Sequence, residues 1–213
     1  MKKTILITWW TGYIWSHAVV AFEQAWYKTV IVDNLVNSSK KSLDGIKNIL
    51  GYQVDFFELD LRDKEALREV FQKYEFDGVL HFAGLKAVWE SCQKPLEYFD
   101  NNINGSVLLF ELMQEFLVKN IIFSSSATVY KVKNDGNWYT ETDEVWACSN
   151  PYGTTKFLLE NILKEKNIDL ISIAYHSESL LPQFDTFAQS LITNEQQLPC
   201  MVLNSKLASA LYF

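Results

Sequence analysis

A tyrosine and a lysine four residues apart are the first side chains in this sequence that could do chemistry together. Tyr152 and Lys156 stand in the segment NPYGTTK, and a spacing of four places both on one face of a helix. A lysine cation favours the ionised form of a neighbouring phenol, so the pair could supply a base near neutral pH. Tyrosine–lysine pairs are also common on exposed helix faces, so a plain surface pair is the alternative.

A run of hydroxyl side chains stands upstream of this pair. The segment SSSATVY, which begins at Ser124 and includes Ser126, directly follows KNIIF, an apolar run that predicts a strand. In α/β sheets, ligands bind beyond the carboxyl ends of the strands. We therefore expect these hydroxyls at a ligand-binding edge, which favours a functional role for the tyrosine–lysine pair.

The elements that must position these groups alternate between short apolar runs and helical patterns. We predict strands over 3–8, 29–33, 54–59, 78–83, 119–124 and 169–174, and helices over 14–25, 38–50, 64–74, 95–116 and 152–165. Ser38 is the expected cap of the second helix, and the long fourth helix should be irregular at Asn104-Gly105. This alternation implies an α/β, Rossmann-type doubly wound parallel sheet with helices on both faces.

The first strand-to-helix turn reads TWWTGYIWSH, where a dinucleotide-binding fold places glycines at positions 9, 12 and 15. Only Gly12 is a glycine, so an aromatic-rich buried turn is the simplest interpretation of this stretch alone. Asp33, at the end of the second predicted strand, could bond the ribose hydroxyls of NAD. Asp60, at the end of the third, fits an adenine-side contact. Either acid could instead cap a loop.

Composition limits the remaining possibilities. The chain has 213 residues, a net charge of −7 and 48% hydrophobic residues, which predicts a sizeable core and argues against a nucleic-acid partner. The apolar run after Met1 ends at Thr8, too short for a signal peptide or a membrane span. Three scattered cysteines without a CxxC pair indicate a reducing compartment and no metal site. We expect a cytoplasmic protein without a membrane partner. His81 is predicted to be a core histidine, and no role is assigned to the other two histidines, His17 and His176.

Four segments together resemble the UDP-glucose 4-epimerases, a family of extended short-chain dehydrogenase/reductases. They are HFAGLKAVWES, KPLEYFDNN, KNIIFSSSATVY and NPYGTTK, and the likeness runs from residue 3 to about residue 174. The resemblance implies NAD-dependent interconversion of UDP-glucose and UDP-galactose at carbon 4 through a 4-keto intermediate, as part of galactose metabolism. It implies that Tyr152 is the base, that Lys156 lowers the pKa of Tyr152 and bonds the nicotinamide ribose, and that Ser126 bonds the 4-oxygen and relays the proton.

The resemblance also implies which residues contact the cofactor and the substrate. NAD would contact Gly12, Tyr13, Ile14, Asp33, Asn34, Leu35, Asn37, Ser38, Asp60, Leu61, Phe82, Ala83, Gly84, Lys86, Asn101, Ser124, Tyr152 and Lys156. The UDP-sugar would contact Lys86, Ser126 and Tyr152, and the family suggests a homodimer. A nucleotide-sugar 4,6-dehydratase of the same fold is the nearest alternative, but those enzymes carry an acid pair where this chain reads Ala127-Thr128. A non-catalytic remnant is the second alternative.

The chain departs from the family in two ways. Five tryptophans (Trp9, Trp10, Trp15, Trp26 and Trp89) fall on family glycines, Trp146 fits the same pattern, and Trp138 has no counterpart that we can align. The 8 glycines and 7 tryptophans make 15 of 213 residues, about 7%, which is the usual share of glycine alone. We therefore hypothesise UGA codons that mean glycine but were read as tryptophan. Lys131, at another family glycine, is not explained in this way.

The second departure is the C-terminal part of the sequence, in which no family motif follows Ala174. We expect an NAD-binding domain over 1–174 and an atypical tail over 175–213 in place of the start of a substrate domain. A frameshift or a truncated gene would account for it. The chain as written would then be an impaired fragment that largely lacks the uridine-nucleotide site.

Overall fold

The computed structural model describes residues 2–8, 13–36, 40–131, 143–145, 148–165, 169–175 and 201–202, with the backbone alone for 13–15, 169–175 and 201–202. Seven strands form one parallel sheet in the order β3-β2-β1-β4-β5-β6-β7. The strands are β1 (Thr4–Thr8), β2 (Lys28–Asp33), β3 (Asp55–Glu58), β4 (Gly78–His81), β5 (Asn120–Ser126), β6 (Asp169–Tyr175) and β7 (Met201–Val202).

Helices connect the strands as in a doubly wound fold. They are α1 (Tyr13–Gln24), α2 (Lys41–Leu50), α3 (Lys64–Lys73), α4 (Val88–Gln93), α5 (Pro95–Phe99), α6 (Gly105–Glu115) and α7 (Pro151–Glu165), with a π-helical segment (Asp100–Asn104) between α5 and α6 and a 3-10 turn (Ala127–Val129) after β5. The sheet order reverses direction between β1 and β4, which is the point where doubly wound folds bind ligands.

The predicted elements are confirmed, and two were missed. The predicted irregularity at Asn104-Gly105 is where the π-helical segment ends and α6 begins. The sequence analysis did not predict α4, a helix of six residues. It also did not predict β7, which pairs with Ile173 and Ala174 of β6. The second helix begins at Lys41 rather than at residue 38, and its predicted cap Ser38 lies outside the described residues.

Both faces of the sheet are buried by alternating side chains of the same strands. Ile5 and Ile7 of β1 pack with α1 and α2, whereas Leu6, between them, packs with α3 and α6 on the opposite face. Successive side chains of a strand point to opposite faces, so a strand covered on both sides must be apolar throughout. This explains why the segments ILI and VIV carry no polar residue.

Trp26 has a backbone conformation that suits glycine. Its φ is +68°, in the left-handed region, and its side chain is 76% exposed. It follows α1 at the position where the next amide, Tyr27 N, donates to Phe22 O at 3.0 Å. Helices commonly end with a glycine in this place. Leu117 takes the same conformation after α6, so the geometry tolerates a side chain at a cost.

Of the other tryptophans, Trp89 lies exposed on α4 and only the backbone of Trp15 is described. Trp9, Trp10, Trp138 and Trp146 lie outside the described residues.

Candidate active site

A cleft opens at the carboxyl ends of β2, β3 and β4. Seven residues that the sequence predicts to contact the cofactor line it: Asp33, Asn34, Asp60, Leu61, Ala83, Gly84 and Asn101. Five further lining residues were not predicted: Val32, Val36, Leu59, Leu85 and Ser106. Val32, Val36, Leu59 and Leu85 stand within two positions of predicted contacts, so a wider window around each strand end would have found them. The fold thus brings together, in one groove, side chains from separate segments between residues 32 and 106.

Asp33 ends β2 at the floor of this cleft. The residue is only 3% exposed, and its Oδ1 accepts a hydrogen bond from Leu35 N at 2.8 Å. Across the cleft, Gly84 follows β4 with φ +147°, and a Cβ there would lie 3.1 Å from Asn102 Oδ1. A side chain at residue 84 would therefore strain the turn and push on a buried amide.

Asp60 is held by an arginine that the sequence analysis did not single out. Arg62 Nε donates to Asp60 Oδ1 at 3.0 Å and Nη2 donates to Oδ2 at 2.8 Å, while Asn34 Nδ2 donates to Oδ2 at 3.0 Å. The hydrogen bonds from Arg62 lower the pKa of Asp60 to about 2. Arg62 Nη1 also donates to Asp100 at 2.6 Å, which ties the loop after β3 to the π-helical segment. The arginine stands two residues after Asp60 in LDLRD, which was the available signal.

The predicted catalytic side chains meet at the end of β5. Ser126 is the last residue of that strand, and its Oγ accepts from Thr128 N at 3.2 Å and bonds Thr128 Oγ1 at 2.9 Å. Helix α7 begins beside it, where Asn150 Oδ1 accepts from Gly153 N at 2.8 Å. A Cβ on Gly153 would lie 2.7 Å from Thr128 O, so only glycine lets α7 approach the 3-10 turn this closely.

Lys156 and Tyr152 lie on the same side of α7, as their spacing predicts. The Lys156 Nζ is 4.8 Å from the ring centroid of Phe123 and 5.9 Å from that of Tyr152. Lys156 is 3% exposed, and burial lowers its pKa to about 8, against an opposing effect of Glu160. Glu160 itself accepts a short hydrogen bond from Ser125 Oγ. A lysine with this pKa is still mostly charged at pH 7.

The pKa of Tyr152 lies above its ordinary value, and the predicted lowering by Lys156 stays a prediction. Burial raises the pKa of Tyr152, and a hydrogen bond with Ser126 only partly opposes that rise. The two predicted catalytic residues, Ser126 and Tyr152, thus lie close to each other. Spacing along a helix gives proximity but not the depth of burial, so the sequence did not predict the effect of burial on the Tyr152 pKa.

The remaining predicted residues are placed as follows. Phe82 and Ser124 are buried at the ends of β4 and β5, and Lys86 is exposed on the loop after β4. Leu35 has φ +56° in the loop after β2. Only the backbone of Tyr13 and Ile14 is described, at the start of α1, and Gly12, Asn37 and Ser38 lie outside the described residues. His81 is fully buried, as predicted for a core histidine.

No group of three or more histidine, cysteine or acidic side chains in the described ranges could hold a metal ion. No helix within those ranges is both long and apolar enough to cross a membrane.

Comparison with known proteins agrees with this geometry. A sequence profile of the NAD dependent epimerase/dehydratase family matches residues 5–175. The chain is 47% identical over 161 residues to UDP-glucose 4-epimerase of Bacillus subtilis (strain 168), covering 76% of this chain and 47% of that protein. It is 44% identical over 172 residues to UDP-glucose 4-epimerase 2 of Arabidopsis thaliana, covering 78% and 47%.

A solved structure shows the same fold. The crystal structure of UDP-glucose 4-epimerase from Bifidobacterium longum in complex with NAD+ and UDP superposes with a TM-score of 0.77 at 38% identity, over 81% of this chain and 53% of that one. The chain thus spans about half the length of the relatives that it matches. With the profile match covering most of its residues, the chain belongs to the NAD dependent epimerase/dehydratase family.

Proposed function

We propose that the cleft is the NAD site, and that the chain supplies the catalytic groups, of a UDP-glucose 4-epimerase, which interconverts UDP-glucose and UDP-galactose. As written, with tryptophan at five family glycines, the chain is an impaired form that binds NAD weakly. The observation that carries the proposal is the cluster of Tyr152, Lys156 and Ser126 at the carboxyl end of β5, in which Lys156 is buried and the other two residues are half-buried. The cluster lies at the same edge of the sheet as the cleft that Asp33 lines, because the carboxyl ends of parallel strands share one edge. A base, a cation and a hydroxyl on a dinucleotide-binding edge are the parts that a reversible oxidation of a sugar hydroxyl requires.

The residues of the cleft fit a dinucleotide. Asp33 offers a carboxylate at the end of β2, where it would accept hydrogen bonds from ribose hydroxyls, and Asp60 and Leu61 line the side where an adenine would lie. The Asp33 charge would repel a ribose 2′-phosphate, so NAD is favoured over NADP. Bound NAD supplies the acceptor for the hydride of the sugar's carbon 4 and the donor that returns it.

The chain's own residues would move the proton. Ionised Tyr152 would remove the proton of the 4-hydroxyl as the hydride leaves, and would return it to the 4-oxygen at the end of the cycle. Ser126 would hydrogen-bond that oxygen. Because burial raises the pKa of Tyr152, the charge of Lys156 beside it is needed to stabilise the phenolate. Lys86 would contact the cofactor and the UDP-sugar from the exposed loop after β4.

The biological setting follows from that activity. We infer a role in galactose metabolism, a cytoplasmic location and a homodimer, in line with the sequence expectations. We also infer that residues 1–174 make up the NAD-binding domain and that 175–213 are an atypical tail in place of the start of a substrate domain. The relatives are epimerases and Ser126 is followed by Ala127 and Thr128 without an acid, so a 4,6-dehydratase is not favoured.

The proposal is tested by NAD binding to two chains in parallel. One is the chain as written, and the other carries glycine at the five family positions Trp9, Trp10, Trp15, Trp26 and Trp89. We expect calorimetry to show NAD binding by the glycine-restored chain and little by the other, because Trp9 and Trp15 would crowd the pyrophosphate. NADP should bind the restored chain more weakly than NAD. A restored chain that ignores NAD would refute the cofactor assignment.

A further inference from the structure

A line of five buried polar side chains connects the end of β1 to α7. Its members are Thr8, His81, Ser106, Asn102 and Thr155, each 0% to 2% exposed. They come from five different elements: β1, β4, α6, the π-helical segment and α7. Buried polar groups are costly unless each finds a hydrogen-bond partner, so a line of this length inside the core requires an explanation.

The backbone carbonyl of Asn102 fixes which atom donates in each of these hydrogen bonds. Ser106 Oγ donates to Asn102 O at 2.5 Å, and a carbonyl can only accept. Ser106 has thereby used its one hydrogen, so at 2.7 Å from His81 Nε2 its oxygen must accept. The His81 Nε2 therefore carries a hydrogen, and in the neutral ring Nδ1 accepts from Thr8 Oγ1 at 2.6 Å.

The ring is held neutral by its surroundings. His81 is fully buried between the rings of Phe110 and Phe123, whose centroids are 5.8 Å and 5.7 Å away. Lys156 of α7 is the charged group that faces it. Burial first, and then that positive charge, lower the pKa of His81 to about 3.

From Asn102 the line continues to α7. Asn102 Oδ1 accepts from Leu85 N at 2.7 Å, and Nδ2 donates to Leu85 O at 2.9 Å and to Thr155 Oγ1 at 3.1 Å. Thr155 Oγ1 then donates to Tyr152 O at 2.7 Å. The amide of Asn102 thus fixes the Gly84-Leu85 turn, which lines the cleft, against the helix that carries Tyr152.

We propose that His81 is a positioning residue: as a neutral, Nε2-protonated imidazole it joins the end of β1, through Ser106 and Asn102, to the helix of Tyr152 and Lys156. Thr8 directly precedes the turn expected to hold the cofactor's phosphates, and Thr155 lies between the two catalytic residues on α7. Strand β1 and helix α7 are thereby connected through the imidazole of His81. The functions given to β1 and α7, cofactor binding and catalysis, rest on the proposed function. The hydrogen-bonded connection between them is present in the protein without any ligand.

The tautomer is tested on the unaltered 213-residue chain. Nitrogen-15 spectra of labelled histidine, with His81 assigned by its contacts to the Phe110 and Phe123 rings, should show a protonated Nε2 and an unprotonated Nδ1. This ring should not titrate between pH 5.5 and 8. A proton on Nδ1, or titration within that range, would overturn the proposal even if every variant failed to fold.

Two isosteric variants test the coupling. In His81→Gln the amide nitrogen can replace Nε2 as donor to Ser106, whereas in His81→Asn the amide oxygen replaces Nδ1 as acceptor from Thr8 and the link to Ser106 is lost. Hydrogen exchange of the α7 amides over 154–158 should rise about 10-fold or more in the Asn variant and stay near the original rate in the Gln variant.

The amides of α3 are the control, because none of the hydrogen bonds of the line involves that helix, and their exchange should not change in either variant. An equal rise in α7 for both variants, or a rise in α3 that matches α7, would mean that His81 is only core packing. Neither readout involves NAD, so failure here is distinct from failure of the proposed function.

Discussion

Replacing Gly153 by alanine should damage the junction of α7 with the strand that carries Ser126. The added Cβ would lie 2.7 Å from Thr128 O and 3.0 Å from Thr128 Oγ1, closer than Cβ contacts allow. Because Thr128 O belongs to the backbone of the 3-10 turn, the clash cannot be relieved by rotating a side chain. Either α7 or the turn must move.

The magnitude is a difference of two effects. Alanine in a helix interior is favoured over glycine by about 0.5–1 kcal/mol, whereas overpacking of a well-packed contact costs about 1–3 kcal/mol. We therefore expect Gly153→Ala to lower the free energy of unfolding by about 1–2 kcal/mol. The same displacement would separate Tyr152 from Ser126, since both flank the contact.

Gly45 supplies a matched control. It lies in α2, is exposed, and a Cβ there would meet nothing within 4 Å. Gly45→Ala should accordingly raise the free energy of unfolding by about 0.5–1 kcal/mol. Urea titrations of both variants, compared at equal slope, measure the two changes. If both substitutions stabilise the protein to the same extent, the close approach of α7 to Thr128 O does not exist and our account of the Ser126–Tyr152 contact is wrong.

Four further outcomes are expected. Trp26→Gly should raise the free energy of unfolding by about 1 kcal/mol, because it relieves a left-handed backbone, and the codons at positions 9, 10, 15, 26 and 89 should be UGA; UGG codons would refute the codon hypothesis. Arg62→Gln should raise the pKa of Asp60 from about 2 towards its usual value, as followed by carboxyl-carbon NMR. Because the pKa of Asp60 is depressed in the folded protein, the stability from the Asp60–Arg62 pair is complete above about pH 4 and is lost as the pH falls towards 2. An Arg62→Gln variant with an unchanged Asp60 titration would contradict the assignment. The glycine-restored chain should bind NAD without epimerising UDP-galactose, since holding the sugar contributes much of the rate; fusion to the second half of a relative should give turnover that Tyr152→Phe removes, and turnover by the 213-residue chain alone would show that our view of residues 175–213 is mistaken.

The sequence by itself determined the framework and most of the cleft. Apolar runs such as ILI and VIV predict strands covered on both faces, and alternation with helices predicts a doubly wound parallel sheet with right-handed crossovers. Acids directly after such strands must lie at the carboxyl edge, so Asp33 and Asp60 could be placed without coordinates. His81, flanked by apolar residues inside a strand, could be assigned to the core in the same way.

Only the tertiary structure decided what depends on depth and on contacts far apart in the chain. Burial by neighbouring elements raises the pKa of Tyr152 and lowers that of Lys156, and helical spacing contains no information on burial. Arg62 donates a hydrogen bond to Asp100, 38 residues away, and Asn102 donates one to Thr155, 53 residues away. Such partners are chosen by packing in three dimensions, because a hydrogen bond needs its atoms within about 3 Å and a linear pattern does not specify which distant residues meet.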